Sequence, residues 1–283
     1  MKIRDYRNHF TETLMPIYDL AEAESFFYII LENDHHLKRV DLALSPDLEF
    51  SGEELQRWNS ILQKLKSEIP IQYIIGKTSF YGLEFEVNAN TLIPRQETEE
   101  LVDWIISDNK NKRSLRILDI GTGSGCIAVS LAKNLPDAKV VAIDVSENAL
   151  EIAKKNAKHN QIEIEFLLKD ILQTSELDQD FDIIVSNPPY VRNLEKAEIR
   201  KNVLDNEPHL ALFVEDTDAL VFYRKIASLA KKNLVKNGLL YFEINQYLGK
   251  EMLDLMENQN FQDSQLRKDI YGNDRMLRSK NAD

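Results

Sequence analysis

The spacing of apolar residues changes once along the chain. Up to about residue 70 they recur at helical intervals. Leu55, Trp58, Ile61, Leu62 and Leu65 make a stripe on one helix face, opened by the capping-box pair Ser51 and Glu54 and closed by Pro70. Ala21 to Glu32 sets acids among Phe26, Phe27, Ile29 and Ile30 and reads as another helix. Residues 1–75 are therefore expected to form a small helical domain, whose faces serve packing rather than chemistry. From Leu83 to Val87 apolar and polar positions alternate, with Gly82 as a bend, which predicts a hairpin inside a connector spanning 76–91.

Beyond the connector, strand-like and helix-like segments take turns. Arg116–Ile120, Lys139–Asp144, Ile162–Leu167, Phe181–Ser186 and Gly238–Ile244 read as strands. Ile127–Lys133, Ser146–His159 and Asp218–Lys232 read as helices. Alternation at this spacing predicts an α/β domain over 92–283, a doubly wound and mostly parallel sheet with helices on both faces.

Composition narrows the class. The chain has 283 residues and a formal net charge of −12, which argues against broad nucleic-acid binding, since that affinity comes largely from Lys and Arg contacts to phosphate. One cysteine, Cys126, excludes an intrachain disulfide and a Cys-rich zinc site, and is read as a small packing residue rather than a reactive thiol. The first ten residues hold no apolar core of a secretory signal, and the longest apolar run, Phe26 to Leu31, is six residues. A soluble, cytoplasmic protein without a membrane segment is expected, and no metal site is evident.

Candidate chemistry begins where the first strand of the α/β domain meets its helix. Gly121, Gly123 and Gly125 allow a tight turn and close approach of a ligand, and Thr122 and Ser124 lie between them. Asp144 ends the next strand, 19 residues after Gly125, where a carboxylate can accept hydrogen bonds from both ribose hydroxyls of an adenosine. The Gly-x-Gly-x-Gly spacing, with Asp119 two residues before the first glycine, repels a pyrophosphate and suits a ligand with an ammonium group. S-adenosylmethionine fits better than a nicotinamide dinucleotide. Asp170 and Ile171, after the third strand, are candidate adenine contacts.

A second motif, Asn187-Pro188-Pro189-Tyr190, follows a buried strand and falls at the sheet edge where open α/β folds bind ligands. The two prolines stiffen the turn and keep the Pro188 carbonyl out of a helix. A planar amide or amino nitrogen has a delocalised lone pair and is a poor nucleophile. The Asn187 side-chain oxygen and the Pro188 carbonyl can each accept one of its N–H groups, aiming the lone pair at a methyl donor, while Tyr190 stacks on the planar group. Catalysis is expected from orientation and preorganised acceptors rather than from a strong base.

With these residues in place, the chain resembles the peptide chain release factor N5-glutamine methyltransferases (the PrmC/HemK family) over essentially its whole length. The resemblance rests on Gln72 to Gly76, Phe80-Tyr81-Gly82, Leu92 to Glu99, the glycine loop through Cys126, Ser186 to Tyr190, Glu207 to Leu212 and Glu243 to Gln246. It implies a class I S-adenosylmethionine-dependent methyltransferase with a seven-stranded sheet, an N-terminal helical domain that docks the substrate, and a hairpin linker. The implied reaction is methylation of the side-chain amide of the glutamine in the Gly-Gly-Gln tip of release factors. It also implies cofactor contacts at Gly121 to Gly125, Asp144, Asp170, Ile171 and Asn187, a glutamine-binding turn at Asn187, Pro188, Pro189 and Tyr190, and a methyl-donor pocket wall that includes Arg95, Glu97 and Thr98. The chain departs from the family pattern at Asn206 and over Val214 to Leu220, where acids replace glycines.

Rival readings are a glutamine methyltransferase acting on a ribosomal protein, a DNA adenine-N6 methyltransferase, and a non-catalytic adapter that binds S-adenosylmethionine. The acidic charge counts against the DNA enzyme, and an intact Asn187 turn counts against the adapter.

Overall fold

The computed structural model describes residues 1–282, which divide into two compact units. The first comprises Met1–Gly76 together with Lys201–Asn206. Its helices span Ile3–Leu14, Leu20–His35, Arg39–Leu44, Gly52–Lys66 and Ile71–Ile75. The Ser51 capping box forms as its spacing requires: the Ser51 hydroxyl accepts from the Glu54 amide and the Glu54 carboxylate accepts from the Ser51 amide. The expected stripe is the buried face, with Trp58, Ile61, Leu62 and Leu65 all inside. Trp58 sits among Tyr6 and Phe10, which meet it edge to face, and Phe27 and Phe50, which are tilted against it, and its indole N–H donates to His35 Nε2 at 3.1 Å. Lys201–Asn206 joins this unit through Asn206 Nδ2, which donates to the Glu68 carbonyl, and through a Lys201–Glu68 ion pair at 2.8 Å.

The second unit comprises Lys77–Arg200 and Glu207–Asn281 with the residue that follows. It opens with the antiparallel hairpin β1 (Lys77–Phe80) and β2 (Leu83–Glu86). This hairpin is not a free linker. Phe80 and Phe85 are buried with Leu101, Trp104 and Val129, and Asn156 clamps both backbone groups of Glu86. Two large aromatic side chains on a four-residue ladder must find a core, and they find it in the α/β unit.

The remaining strands are β3 (Arg116–Ile120), β4 (Lys139–Asp144), β5 (Glu165–Leu168), β6 (Phe181–Ser186), β7 (Val191–Arg192), β8 (Phe213–Val214), β9 (Leu234–Glu243), β10 (Phe261–Lys268) and β11 (Asp274–Asn281). Seven of these form one sheet in the order β10-β11-β9-β6-β3-β4-β5. Neighbours from β9 to β5 run parallel, and β11 reverses against both β9 and β10. Cores lie on both faces, one built around Ile120, Ile143, Phe242 and Tyr223, the other around Ile117, Val129, Ile183 and Tyr241. The strand expected at Ile162–Leu167 is β5, three residues shorter at its start. The strand expected at Gly238–Ile244 begins earlier, at Leu234. β7 and β8 pair separately. No helix among the described residues is long and apolar enough to cross a membrane.

Candidate active site

The strand order places the carboxyl ends of β6, β3, β4 and β5 side by side, and the predicted site residues stand on that edge. After β3 the chain turns over 121–125 into the helix Cys126–Asn134. The Gly121 and Thr122 amides both donate to the Ile143 carbonyl, at 2.9 and 3.0 Å, which pins the turn to β4. Gly121 has φ +74°, and a Cβ built on it meets no protein atom within 4 Å, so the space beside the loop is open. At Gly125, φ +81°, a Cβ would stand 3.1 Å from that of Ala153; there the glycine serves close helix packing.

A cavity opens at this edge, walled by Gly121 and Gly123, by Asp144 and Asp170 with Ile171, and by Asn187, Pro188 and Pro189. Asp144 ends β4 and braces the loop: Oδ2 accepts from the Gly123 amide at 2.8 Å and Oδ1 from the Ser146 amide at 2.9 Å. Each carboxylate oxygen keeps a second lone-pair position. Burial raises the Asp144 pKa, and the amides of Ser146 and Gly123 oppose that rise. The Lys169 amide donates to the Asp144 carbonyl, so the next acid, Asp170, follows on the same rim. Asp170 Oδ1 accepts from the Leu172 amide in a tight turn. The wall thus offers two carboxylates to hydroxyl and amino groups, and its one lysine, Lys169, is paired with Asp178. A nucleoside with an amino group fits these donors and acceptors, and a diphosphate does not.

The Asn187 turn is anchored from below. Ser186, fully buried at the end of β6, donates its hydroxyl to the Ile120 carbonyl at 2.7 Å, locking the ends of β6 and β3 together. Asn187 Nδ2 donates to Thr98 Oγ1 at 3.3 Å, and Thr98 donates in turn to Glu243 Oε2 at 2.6 Å. The Tyr190 hydroxyl donates to the other oxygen, Glu243 Oε1, at 3.0 Å, and the Tyr190 carbonyl accepts from Asn245. Burial, then the charge of Glu243, raises the Tyr190 pKa well beyond the ordinary phenol range. Glu243 is 1% exposed, and burial raises its pKa against the pull of Thr98, Tyr190 and Arg275.

Several expected residues stand off the cavity wall. Asp119 is not at the mouth of the loop. The structure buries it completely beneath the loop, where Oδ2 accepts from Thr122 Oγ1 at 2.6 Å and Oδ1 has no partner among the described residues. The cause is its place on a central strand covered on both faces, so that its side chain points into the interior. Burial pushes its carboxyl up to about 7. Thr122, Ser124 and Gly125 form the body of the turn, and Tyr190 is held inward by Glu243. Arg95, Glu97 and Thr98 are also off the wall, which is lined instead by the preceding Asn90, Thr91 and Leu92. Glu207, 3% exposed, explains how that segment is held: it accepts from the Ile93 amide and from Arg95, and the residues after it, Pro208, Leu210 and Ala211, form the facing wall. The acids of the altered 214–220 stretch also have partners. Glu215 accepts from Asn193, Asp216 from the Leu194 amide, and Asp218 from Arg224.

Glu243 and Asn245 were missed as chemistry. They lie in a segment that reads as an ordinary buried strand end, and nothing in its periodicity marks a carboxylate that joins two other parts of the chain.

A methyltransferase small domain model matches residues 98–211, and a PrmC N-terminal domain model matches residues 5–76. The release factor glutamine methyltransferase of Flavobacterium psychrophilum is 63% identical over 281 residues, covering 98% of this chain and 99% of that protein. This chain belongs to the release factor glutamine methyltransferase family. The family member from Bacteroides thetaiotaomicron is 45% identical over 94% of this chain and 95% of its own length. A methyltransferase structure from Pyrococcus furiosus, 17% identical, superposes with a TM-score of 0.54 over 81% of this chain and 99% of that one, a likeness of fold. The methyl donor of this family's reaction, S-adenosylmethionine, is a nucleoside with hydroxyl and amino groups and no phosphate, which is what the cavity wall accommodates.

Proposed function

We propose that this chain transfers the methyl group of S-adenosylmethionine to the side-chain amide nitrogen of the glutamine in the Gly-Gly-Gln motif of peptide chain release factors. Asn187 carries the reading. It stands on the same cavity wall as the glycine loop and Asp144, with its amide nitrogen turned to Thr98 and its oxygen left as the acceptor.

In this reading Asp144 receives the ribose hydroxyls, Asp170 and Ile171 the adenine, and Gly121 to Gly125 the amino-acid end of the donor. The donor supplies a methyl group on a positively charged sulfur, so the leaving group is already activated. Asn187 Oδ1 and the Pro188 carbonyl each accept one N–H of the substrate amide and turn its lone pair toward the methyl carbon. Bound there, the donor would give up its methyl group to the substrate nitrogen as a neutral thioether leaves, and the nitrogen would release one proton to solvent. Pro188 and Pro189 keep the turn from relaxing, and Tyr190, fixed by Glu243, holds its far end. A substrate of the translation apparatus supports a cytoplasmic location.

The test is transfer of labelled methyl to a purified release factor. A release factor with its tip glutamine replaced, ribosomal proteins and duplex DNA run as parallel acceptors. Label on the intact factor alone supports the proposal. Label on a ribosomal protein or on DNA refutes the substrate, and no label on any acceptor with the donor bound refutes the enzyme.

A further inference from the structure

We infer that Thr98 and Glu243 are positioning residues which set the amide of Asn187 in the one orientation that presents its oxygen to substrate, a step that rests on the function proposed above. The argument is one of hydrogen-bond polarity. Both hydroxyls against Glu243 donate to it, one to each oxygen: Thr98 to Oε2, 2.6 Å, and Tyr190 to Oε1, 3.0 Å. With its single proton committed, Thr98 Oγ1 has only lone pairs to offer its other neighbour. That neighbour is the Asn187 amide, 3.3 Å away, which can meet a lone pair only with an N–H. The reverse rotamer would set Asn187 Oδ1 against the Thr98 oxygen with no proton between them. Polarity therefore passes from the accepting oxygen of Glu243, through one hydroxyl, to the rotamer of Asn187.

The elements that meet here are rigid and come from distant parts of the chain. Thr98 is in the first turn of the helix Gln96–Asn109 and is 3% exposed; Glu243 is the last residue of β9 and 1% exposed. The Glu243 carbonyl accepts from the Tyr223 hydroxyl at 3.1 Å, which fixes the backbone below the carboxylate. Arg275 attracts the carboxylate charge and is itself paired with Asp269. No atom of Thr98 or Glu243 need touch the substrate. Their contribution is to remove the wrong amide rotamer, in which an N–H donor would face the two N–H groups of the substrate.

Thr98→Val and Thr98→Ser test this. Valine keeps the shape and removes the hydroxyl; serine keeps the hydroxyl and removes a methyl. Methyl transfer to the release factor is measured at saturating donor and saturating protein, beside the donor Kd and the melting temperature. The expected result is a fall in kcat of about 10- to 100-fold for Thr98→Val, a KM for release factor within threefold of wild type, an unchanged donor Kd, and kcat within threefold of wild type for Thr98→Ser. A Thr98→Val enzyme with normal kcat overturns the inference alone. So does an equal loss in both variants, since that is a packing effect. A wild-type enzyme that binds donor and methylates no release factor overturns the functional proposal, and this inference with it.

Discussion

Replacing Asn187 by alanine removes one of the two acceptors assigned to the substrate amide and leaves the rest of the turn standing. The turn is fixed by Pro188 and Pro189, by Ser186 on the Ile120 carbonyl at 2.7 Å, and by Tyr190 on Glu243 and Asn245. Thr98 loses one neighbour but still donates to Glu243 at 2.6 Å, so no buried hydroxyl is stranded and global stability should change by less than about 1 kcal/mol. The loss then falls on the transition state. Deleting one preorganised group that meets charge or protons developing in a dry site costs about 3–4 kcal/mol, roughly 10²- to 10³-fold in rate. Single-turnover transfer of labelled methyl to release factor at saturating donor measures this directly. Asn187→Asp, which keeps an acceptor in place, should retain more activity than Asn187→Ala. A single-turnover rate for Asn187→Ala within tenfold of wild type would refute the orienting role and move the chemistry elsewhere on the cavity wall.

Asp144→Asn leaves one oxygen where two now brace the Gly123 and Ser146 amides, so one N–H must face an NH2 group; donor binding should weaken by about 1–3 kcal/mol, read by titration calorimetry, with kcat at saturating donor changed less than tenfold. Burial pushes the Asp119 carboxyl up to about 7 in the folded chain, from the ordinary 3.8 of the unfolded one. The folded state therefore binds the extra proton, this group's contribution falls as pH rises from about 4 to 7, and Asp119→Asn should raise the melting temperature at pH 8 by more than at pH 5. A gain that does not change with pH would show that the carboxyl is not held protonated. Burial and the charge of Asp119 push the Cys126 thiol up to about 12. Alkylation by iodoacetamide at pH 8 should be about 10³-fold slower in the native protein than in the unfolded one, and a native rate within tenfold would refute the raised pKa.

Much of this site was legible in the chain because it depends on local rules. A glycine turn between strand and helix, an acid at the next strand end and a proline-stiffened tetrapeptide each announce themselves within a few residues. Sheet topology then brings them to one edge. Two kinds of fact were not legible. One is depth: Asp119, one residue before the end of β3, and Asp144, at the end of β4, both lie beside the glycine loop, yet one is buried beneath it and the other lines the cavity. Their side chains share one face of the sheet, and the difference comes from depth along the strand and what covers each: Asp119 pairs with Ala142 inside the sheet, whereas Asp144 is the last residue of β4. The other is long-range pairing. Thr98 and Glu243 lie 145 residues apart, far beyond the span of a local motif, and Glu207 reaches back over 112 residues to Arg95. The hairpin carried a partial signal, since Phe80 and Phe85 are too large for a free linker and are buried to 1% or less.

On the proposed reading, the turn itself limits what the enzyme can methylate. Two fixed acceptors match a group that presents two N–H bonds in one plane, as a primary amide or an exocyclic amine does. A hydroxyl offers one hydrogen, and a protonated lysine has no lone pair to give. The turn alone therefore selects planar nitrogen and leaves glutamine and adenine unresolved. Charge makes the next selection: a chain with net charge −12 pays repulsion against a phosphate backbone wherever that charge faces it, and the cavity's one lysine is already neutralised by Asp178. Chemistry set by four residues and substrate set by the surface around them are thus separable, and substitutions in the Asn187 turn should depress the rate on every acceptor by a similar factor, whatever its affinity.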